Sequence, residues 1–312
     1  MPALRPRRRV LLLALALDAT LGEPPSGLHP VVWMGTAINC LGRRAPASPM
    51  SQLFYGACQA AAVAGGTFAV TALAMRGVRH LPEPLATIAE ACLLKSMVSV
   101  RALIVAARAV GCALASDDLS AARSEVRALV SRPAAELSAP QLVGAAVESV
   151  AENAIDSIVA PVLYYVIAGV PGAALYRAVN TLDAMVGYRG DYEYLGKVAA
   201  RTDDLLNLVP ARLGTLLLIA AAAMVEADAR RALATLRTDR GLTASPNAGW
   251  PMSAMAGALG VRLEKPGTYC LGETFDEPHA ASIERAIEMV VAATLLITAI
   301  ACCAISLRRR RA

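Results

Sequence analysis

Charge is scarce in this chain. Of 312 residues, 18% are charged and 56% are hydrophobic, against about 25% and 45–50% in a typical soluble domain. That excludes intrinsic disorder and a collagen-like fibre, and sets the chain apart from an ordinary soluble α/β enzyme. The seven cysteines form no C-x-x-C pair, their number is odd, and most lie inside apolar runs. They read as small hydrophobes rather than as a disulfide framework or zinc site. The three histidines, His29, His80 and His279, have no Cys or His neighbours at metal-ligand spacing. No G-x-x-x-x-G-K-[ST] loop is present: Gly190 to Gly196-Lys197 is one residue too long and lacks the Ser or Thr. G-x-G-x-x-G is missing too, so a bound nucleotide would use neither motif. Internal repeats, low-complexity segments and strand-like alternation are also lacking, which makes the class all-α.

What the chain has is long apolar runs. A spanning helix needs about 20 largely apolar residues. Ala45–Met75, Ser157–Tyr176 and Met289–Leu307 carry no charge, and each is followed directly by arginine. Leu213–Val225 is shorter, and extends back through Leu208–Ala211 if Arg212 snorkels. Leu85–Leu114 is interrupted by Glu90, Lys95, Arg101 and Arg108, so it is expected to be a helix whose spanning is open. Val10–Leu21 follows an arginine cluster, as a signal peptide would, but Asp18 interrupts it. A short retained membrane helix or re-entrant segment is the favoured reading. Together these predict a polytopic integral membrane helical bundle of about four to six spans, with polar catalytic loops, forming one domain over 1–312. The net charge of +5 is concentrated in Arg5–Arg9 and Arg308–Arg311. Basic clusters flanking apolar runs are explained by the positive-inside rule. They imply an even number of spans and no nucleic-acid partner.

Ionisable residues in or beside spans are expensive and usually functional. Glu148, Glu152 and Asp156 are spaced i, i+4, i+8, which puts three carboxylates on one helix face. Such a stack needs a cation, a raised pKa or solvent. A site with Asn153 beside it and a wet helix end are both open on spacing alone. The stretch 176–212 is the densest in polar groups. Asn180 and Asp183 share a helix face, and Asp203, Asp204 and Asn207 offer a second set of oxygens. Arg177, Arg189, Lys197, Arg201 and Arg212 supply cations. Acidic ligands interleaved with arginines suit an anionic substrate. Ser245-Pro246-Asn247-Ala248-Gly249-Trp250-Pro251 reads as a loop, with Glu264-Lys265-Pro266-Gly267 a second turn downstream. His29, next to Pro30, reads as a capping or packing residue rather than a base.

Five segments in order carry a resemblance from about Leu17 to Gly272. They are LDATLGEPPSGLHPV (17–31), SVAENAIDSIVAP (149–161), YRAVNTLDAMVGYR (176–189), AARTDDLLNLVPARL (199–213) and SPNAGWPMSAMAGALGV (245–261). The chain resembles the CobD/CbiB family of cobalamin biosynthesis, the membrane-bound adenosylcobinamide-phosphate synthases. It departs in having Glu23 where the family usually has Asp, which keeps the acidic group with a longer reach.

The resemblance implies a ligase reaction in the inner cell membrane. A propionate carboxylate of adenosylcobyric acid is joined to the amine of (R)-1-amino-2-propanol or its O-phosphate, with Mg²⁺ and ATP expected. The corrinoid enters as substrate, and association with other cobalamin-pathway enzymes is expected too. In that reading Glu148, Glu152, Asp156 and Asp183 are catalytic, and Glu152, Asp156, Asp203 and Asp204 hold the metal. Asn153, Arg177, Asn180, Tyr188, Arg189, Arg201, Arg212, Ser245, Asn247 and Lys265 bind substrate or phosphate. A Mg²⁺-dependent prenyltransferase-like enzyme and a corrinoid or cation transporter remain as alternatives.

Overall fold

The computed structural model describes residues 7–130, 133–188, 190 and 192–311. In chain order the helices are α1 (Arg7–Leu21), α2 (Pro30–Gly42), α3 (Pro49–Val78), α4 (Glu83–Lys95), α5 (Val100–Ala115), α6 (Leu119–Glu125) and α7 (Ala139–Ala154). They continue as α8 (Ala160–Val186), α9 (Lys197–Met224), α10 (Ala229–Asp239), α11 (Gly249–Leu259) and α12 (Ala280–Arg311). Between α11 and α12 lies a hairpin of two three-residue strands, β1 (Leu263–Lys265) and β2 (Tyr269–Leu271), antiparallel with Leu263 opposite Leu271. Strands this short leave no period-2 signature, which is why the sequence reads as wholly helical.

Five stretches are long and apolar enough to cross a membrane: Pro49–Val78, Glu83–Ala115, Ala139–Val186, Lys197–Met224 and Ala280–Arg308. The protein is a polytopic helical membrane protein. Five lies within the expected four to six, whereas the even count implied by the basic ends is not what these five give, and α1, at 15 residues, is not among them. On α3, Met50, Phe54, Phe68, Val70 and Leu73 are exposed, as on a helix that faces lipid rather than a protein core. The interrupted run 85–114 is two helices, with the break at Ser96–Ser99. The polar stretch 176–212 is mostly helix, comprising the end of α8 and the start of α9.

The described residues fall into two compact units. The first comprises 7–99, 160–207 and 298–311. Within it α1 packs on α4, and α2, α3 and α4 pack on α8. Gly56 on α3 meets the Leu195 carbonyl at a distance no Cβ would tolerate. Gly169 breaks α8 with φ 71° and ψ −162°, a region open only to glycine, and Pro171 follows two residues on. Tyr165 donates its hydroxyl to the Arg7 carbonyl at 2.9 Å, and Arg308 donates to the Val166 carbonyl at 2.8 Å. Arg7 and Arg308 therefore both meet one turn of α8. Gly169→Ala is expected to cost about 1–3 kcal/mol, read as a lower melting temperature in detergent. Gly66→Ala, in open space on α3, should cause no loss.

The second unit comprises 100–130, 133–159 and 208–297. Its centre is α7, buried along most of its length and packed against α5, α11 and β1. Ser138 starts α7 with a reciprocal capping box to Gln141. After Ala154 the helix widens to a π turn over Ile155–Val159. Gly214 of α9 lies against the Ile155 side chain, where a Cβ would clash.

Candidate active site

In the first unit, two asparagines present Asp203 with N–H groups. Tyr176 donates its hydroxyl to Asn207 Oδ1 at 2.9 Å, and Asn207 Nδ2 donates to Asp203 Oδ2 at 3.0 Å. On the other side Arg177 donates to Asn180 Oδ1 at 3.3 Å, and Asn180 Nδ2 reaches Asp203 Oδ1 at 3.4 Å. An outer donor fixes the orientation of each amide, and Asp203 receives one N–H on each oxygen. Asp203 and Asn207 are buried. Tyr176 is fully buried and stacks on Tyr164, centroids 5.2 Å apart. Asp204, one residue on, is half-buried and pairs with Arg201 at 3.8 Å. Asp183 is half-buried, and its Oδ1 occupies the space a Cβ on Gly187 would need. Tyr188 is exposed, and Arg189 lies outside the described residues.

A second network in the same unit gathers residues that sequence reasoning had left as caps and interruptions. Lys95, at the end of α4, is 6% exposed. Its ammonium lies 2.8 Å from Glu23 Oε2 and 3.8 Å from Asp18 Oδ1. Ser99 donates to Glu23 Oε1 at 2.7 Å. His29 Nδ1 accepts from the Val31 N–H at 3.2 Å, capping α2 as expected. That bond leaves the ring proton on Nε2, which donates to Glu23 Oε2 at 3.0 Å. Burial pushes the Glu23 carboxyl up, but hydrogen bonds from Lys95, Ser99 and His29 and the Lys95 charge outweigh it, and the net value lies below normal. Glu23 therefore stabilises the fold above the ordinary carboxylate range of about 4.3. That contribution disappears as pH falls through the lower folded value. Acid titration of the melting temperature should show this limb, and Glu23→Gln should flatten it.

In the second unit, Glu148 is buried while Glu152 is exposed and Asp156 half-buried. A helix end wetted throughout does not describe this segment. Asp156 lies in the π turn, where the advance per residue is smaller than in the α-helix before it. Asn153 donates to the Ser149 carbonyl and hydroxyl at 3.0 and 3.1 Å and accepts from Ser157 at 3.3 Å. Ser149 and Ser157, missed from the sequence, stand at i±4 from Asn153 and share its face.

Also in this unit, Arg212 donates to Asn247 Oδ1 and, at 3.4 Å, to the Pro246 carbonyl. Ser245 Oγ accepts from the N–H groups of Asn247 and Ala248 at 3.2 and 3.3 Å, which closes the loop. Lys265 is exposed at the hairpin turn. Among the described residues no three His, Cys, Asp or Glu side chains converge as a ready cage for a metal ion. The expected metal ligands divide between the units, Glu152 and Asp156 in one and Asp203 and Asp204 in the other.

Fold and networks define a multi-pass helical membrane protein whose few ionisable groups are gathered into ordered, partly buried clusters. The family model of the CobD/Cbib protein matches residues 11–297. The chain is 40% identical over 293 residues to the probable cobalamin biosynthesis protein CobD of Methanothermobacter thermautotrophicus, covering 93% of this chain and 95% of that one. It is 43% identical over 265 residues to the cobalamin biosynthesis protein CobD of Dehalococcoides mccartyi, covering 85% and 86%. Against that of Yersinia enterocolitica it is 37% identical over 296 residues, covering 91% and 93%. No solved structure matches. The chain belongs to the CobD/CbiB family of cobalamin biosynthesis proteins.

Proposed function

We propose that the protein is an amide-forming ligase of the inner cell membrane, acting over residues 1–312 as one enzyme. It joins a propionate carboxylate of adenosylcobyric acid to (R)-1-amino-2-propanol or its O-phosphate, giving adenosylcobinamide or its phosphate. Family membership supports the pathway. The observation that carries the chemistry is the Asp203 network, in which a buried carboxylate is held in one orientation by two amides.

Near neutral pH a carboxylate is a weak electrophile and an alkyl ammonium has no free lone pair. ATP would convert the carboxylate to an acyl phosphate with release of ADP. Attack by the amine then forms the C–N bond and releases phosphate, and the ammonium proton passes to a carboxylate base. In this reading Arg177 and Arg201 in the first unit and Arg212 in the second would neutralise phosphate or substrate carboxylate. Asn153, Asn180 and Asn247 offer amide contacts.

Mg²⁺ prefers one or two carboxylates completed by water and phosphate oxygens. Two carboxylates without a closed cage fit that requirement, and Asp203 with Asp204, or Glu152 with Asp156, would hold it. When bound, the ion would neutralise charge on a phosphoryl group in transfer. Glu148 and Asp183 remain candidates for the base.

The test is conversion by purified protein in nanodiscs, supplied with adenosylcobyric acid, ATP, Mg²⁺ and each amine in turn. Mass spectrometry should show the corrinoid gaining one amine with loss of water. A corrinoid left unchanged with both amines would refute the reading, and its movement across vesicles unaltered would instead indicate transport. Prenyl transfer from a prenyl diphosphate would indicate the other alternative.

A further inference from the structure

Trp250 opens α11 in the second unit, and two guanidiniums lie against its ring. Arg212 is 4.6 Å and Arg240 5.2 Å from the indole centroid. The two like charges therefore lie within roughly 10 Å of each other, about one Debye length at 0.1 M salt. Their mutual repulsion is not relieved by acids: among the described residues neither arginine pairs with a carboxylate. Asp239, next to Arg240 in sequence, accepts instead from the Gly272 N–H at 2.7 Å. Arg212 spends donors on neutral acceptors, the Asn247 side chain and the Leu208 and Pro246 carbonyls. The Arg240 guanidinium has no hydrogen-bond acceptor among the described residues.

The backbone holds the pair in place. A Cβ on Gly249 would lie 2.3 Å from the Arg240 carbonyl, so only glycine lets the end of α10 close onto the start of α11. The 245–248 loop, closed by Ser245, presents the Asn247 oxygen that orients Arg212. Trp250 is half-buried and Arg240 exposed, so the cluster is open to a solute. Arginine forks match phosphate oxygens in geometry and charge, and stacking on an aromatic ring leaves their N–H edges available.

We propose that Arg212 and Arg240, stacked on Trp250, form a binding site for a phosphoryl dianion. The proposal deepens the ligase reading and rests on it only for the source of the phosphoryl group, which would be ATP or the amino-alcohol phosphate.

Trp250 itself is the reporter, because Trp33 is the only other tryptophan. The full chain carrying Trp33→Phe, in detergent, is titrated at constant ionic strength with inorganic phosphate, ATP and (R)-1-amino-2-propanol O-phosphate. A saturable change in Trp250 emission is expected with phosphate and with at least one ester, and the ester that responds identifies the source. Arg240→Gln should weaken binding at least tenfold, and Arg240→Lys less. Arg212→Gln should do the same, but it also loses the loop contacts, so the exposed Arg240 is the decisive position. Silence towards all three probes, an equal response to chloride, or unchanged binding in Arg240→Gln would overturn the proposal. No turnover is involved. Binding without amide formation would refute the reaction and keep the site, and amide formation with a silent Trp250 would do the reverse.

Discussion

Asp203→Asn is expected to lower amide formation by about 10- to 100-fold or more, because it removes one of the two carboxylates proposed to hold Mg²⁺. It should also destabilise the protein by about 1–3 kcal/mol, because one buried donor loses its acceptor. Asn207 and Asn180 both turn an NH₂ towards Asp203, each held that way by an outer donor, Tyr176 or Arg177. An amide at 203 must set its own NH₂ against one of them. Tyr176→Phe removes one outer donor and lets Asn207 turn over. The double variant Tyr176→Phe/Asp203→Asn should therefore recover melting temperature but not activity. Recovery of both would mean that Asp203 is a packing residue, and the chemistry would have to be sought at another carboxylate.

Lys95→Met should be among the most destabilising single changes, at about 3–5 kcal/mol, the usual cost of removing one partner from a buried ion pair. Its ammonium faces two carboxylates, Asp18 at 1% exposure and Glu23. Adding Asp18→Asn to Lys95→Met should restore part of the loss, and a double-mutant cycle on melting temperature measures the coupling. If the two changes simply add, the 3.8 Å approach between them carries no energy.

Helices α3, α8, α9 and α12 are legible as apolar runs because hydropathy is local. The polar segments beside them are less so: Ala139–Ala154 is started by the Ser138–Gln141 capping box and buried by its neighbours rather than marked by an uncharged run. The acidic triplet at 148–156 is visible by spacing, but its unequal burial is decided by which elements cover α7. The π turn at 155–159 has no mark in composition. Lys95 is visible only as an interruption in a span, because its partners lie more than 70 residues away. Arg240 is similarly hidden, being one of several arginines on or just after α10 until Gly249 lets the start of α11 close onto it. Pairwise distances across the chain are what a single sequence withholds, and the Lys95 and Trp250 clusters are made of them.

The first unit is built from three separate stretches of chain, and Arg7 and Arg308 reach the same turn of α8. A chain growing from the ribosome makes α1 to α4 well before their platform, α8, and makes the Arg308 contact some 140 residues after Val166. If the early helices enter the bilayer before α8 is made, Asp18 and Lys95, both in those helices, can pair before the late ones arrive. A pair that screens two charges from lipid during that interval would make the Asp18–Lys95 contact a requirement of biogenesis as much as of the finished fold.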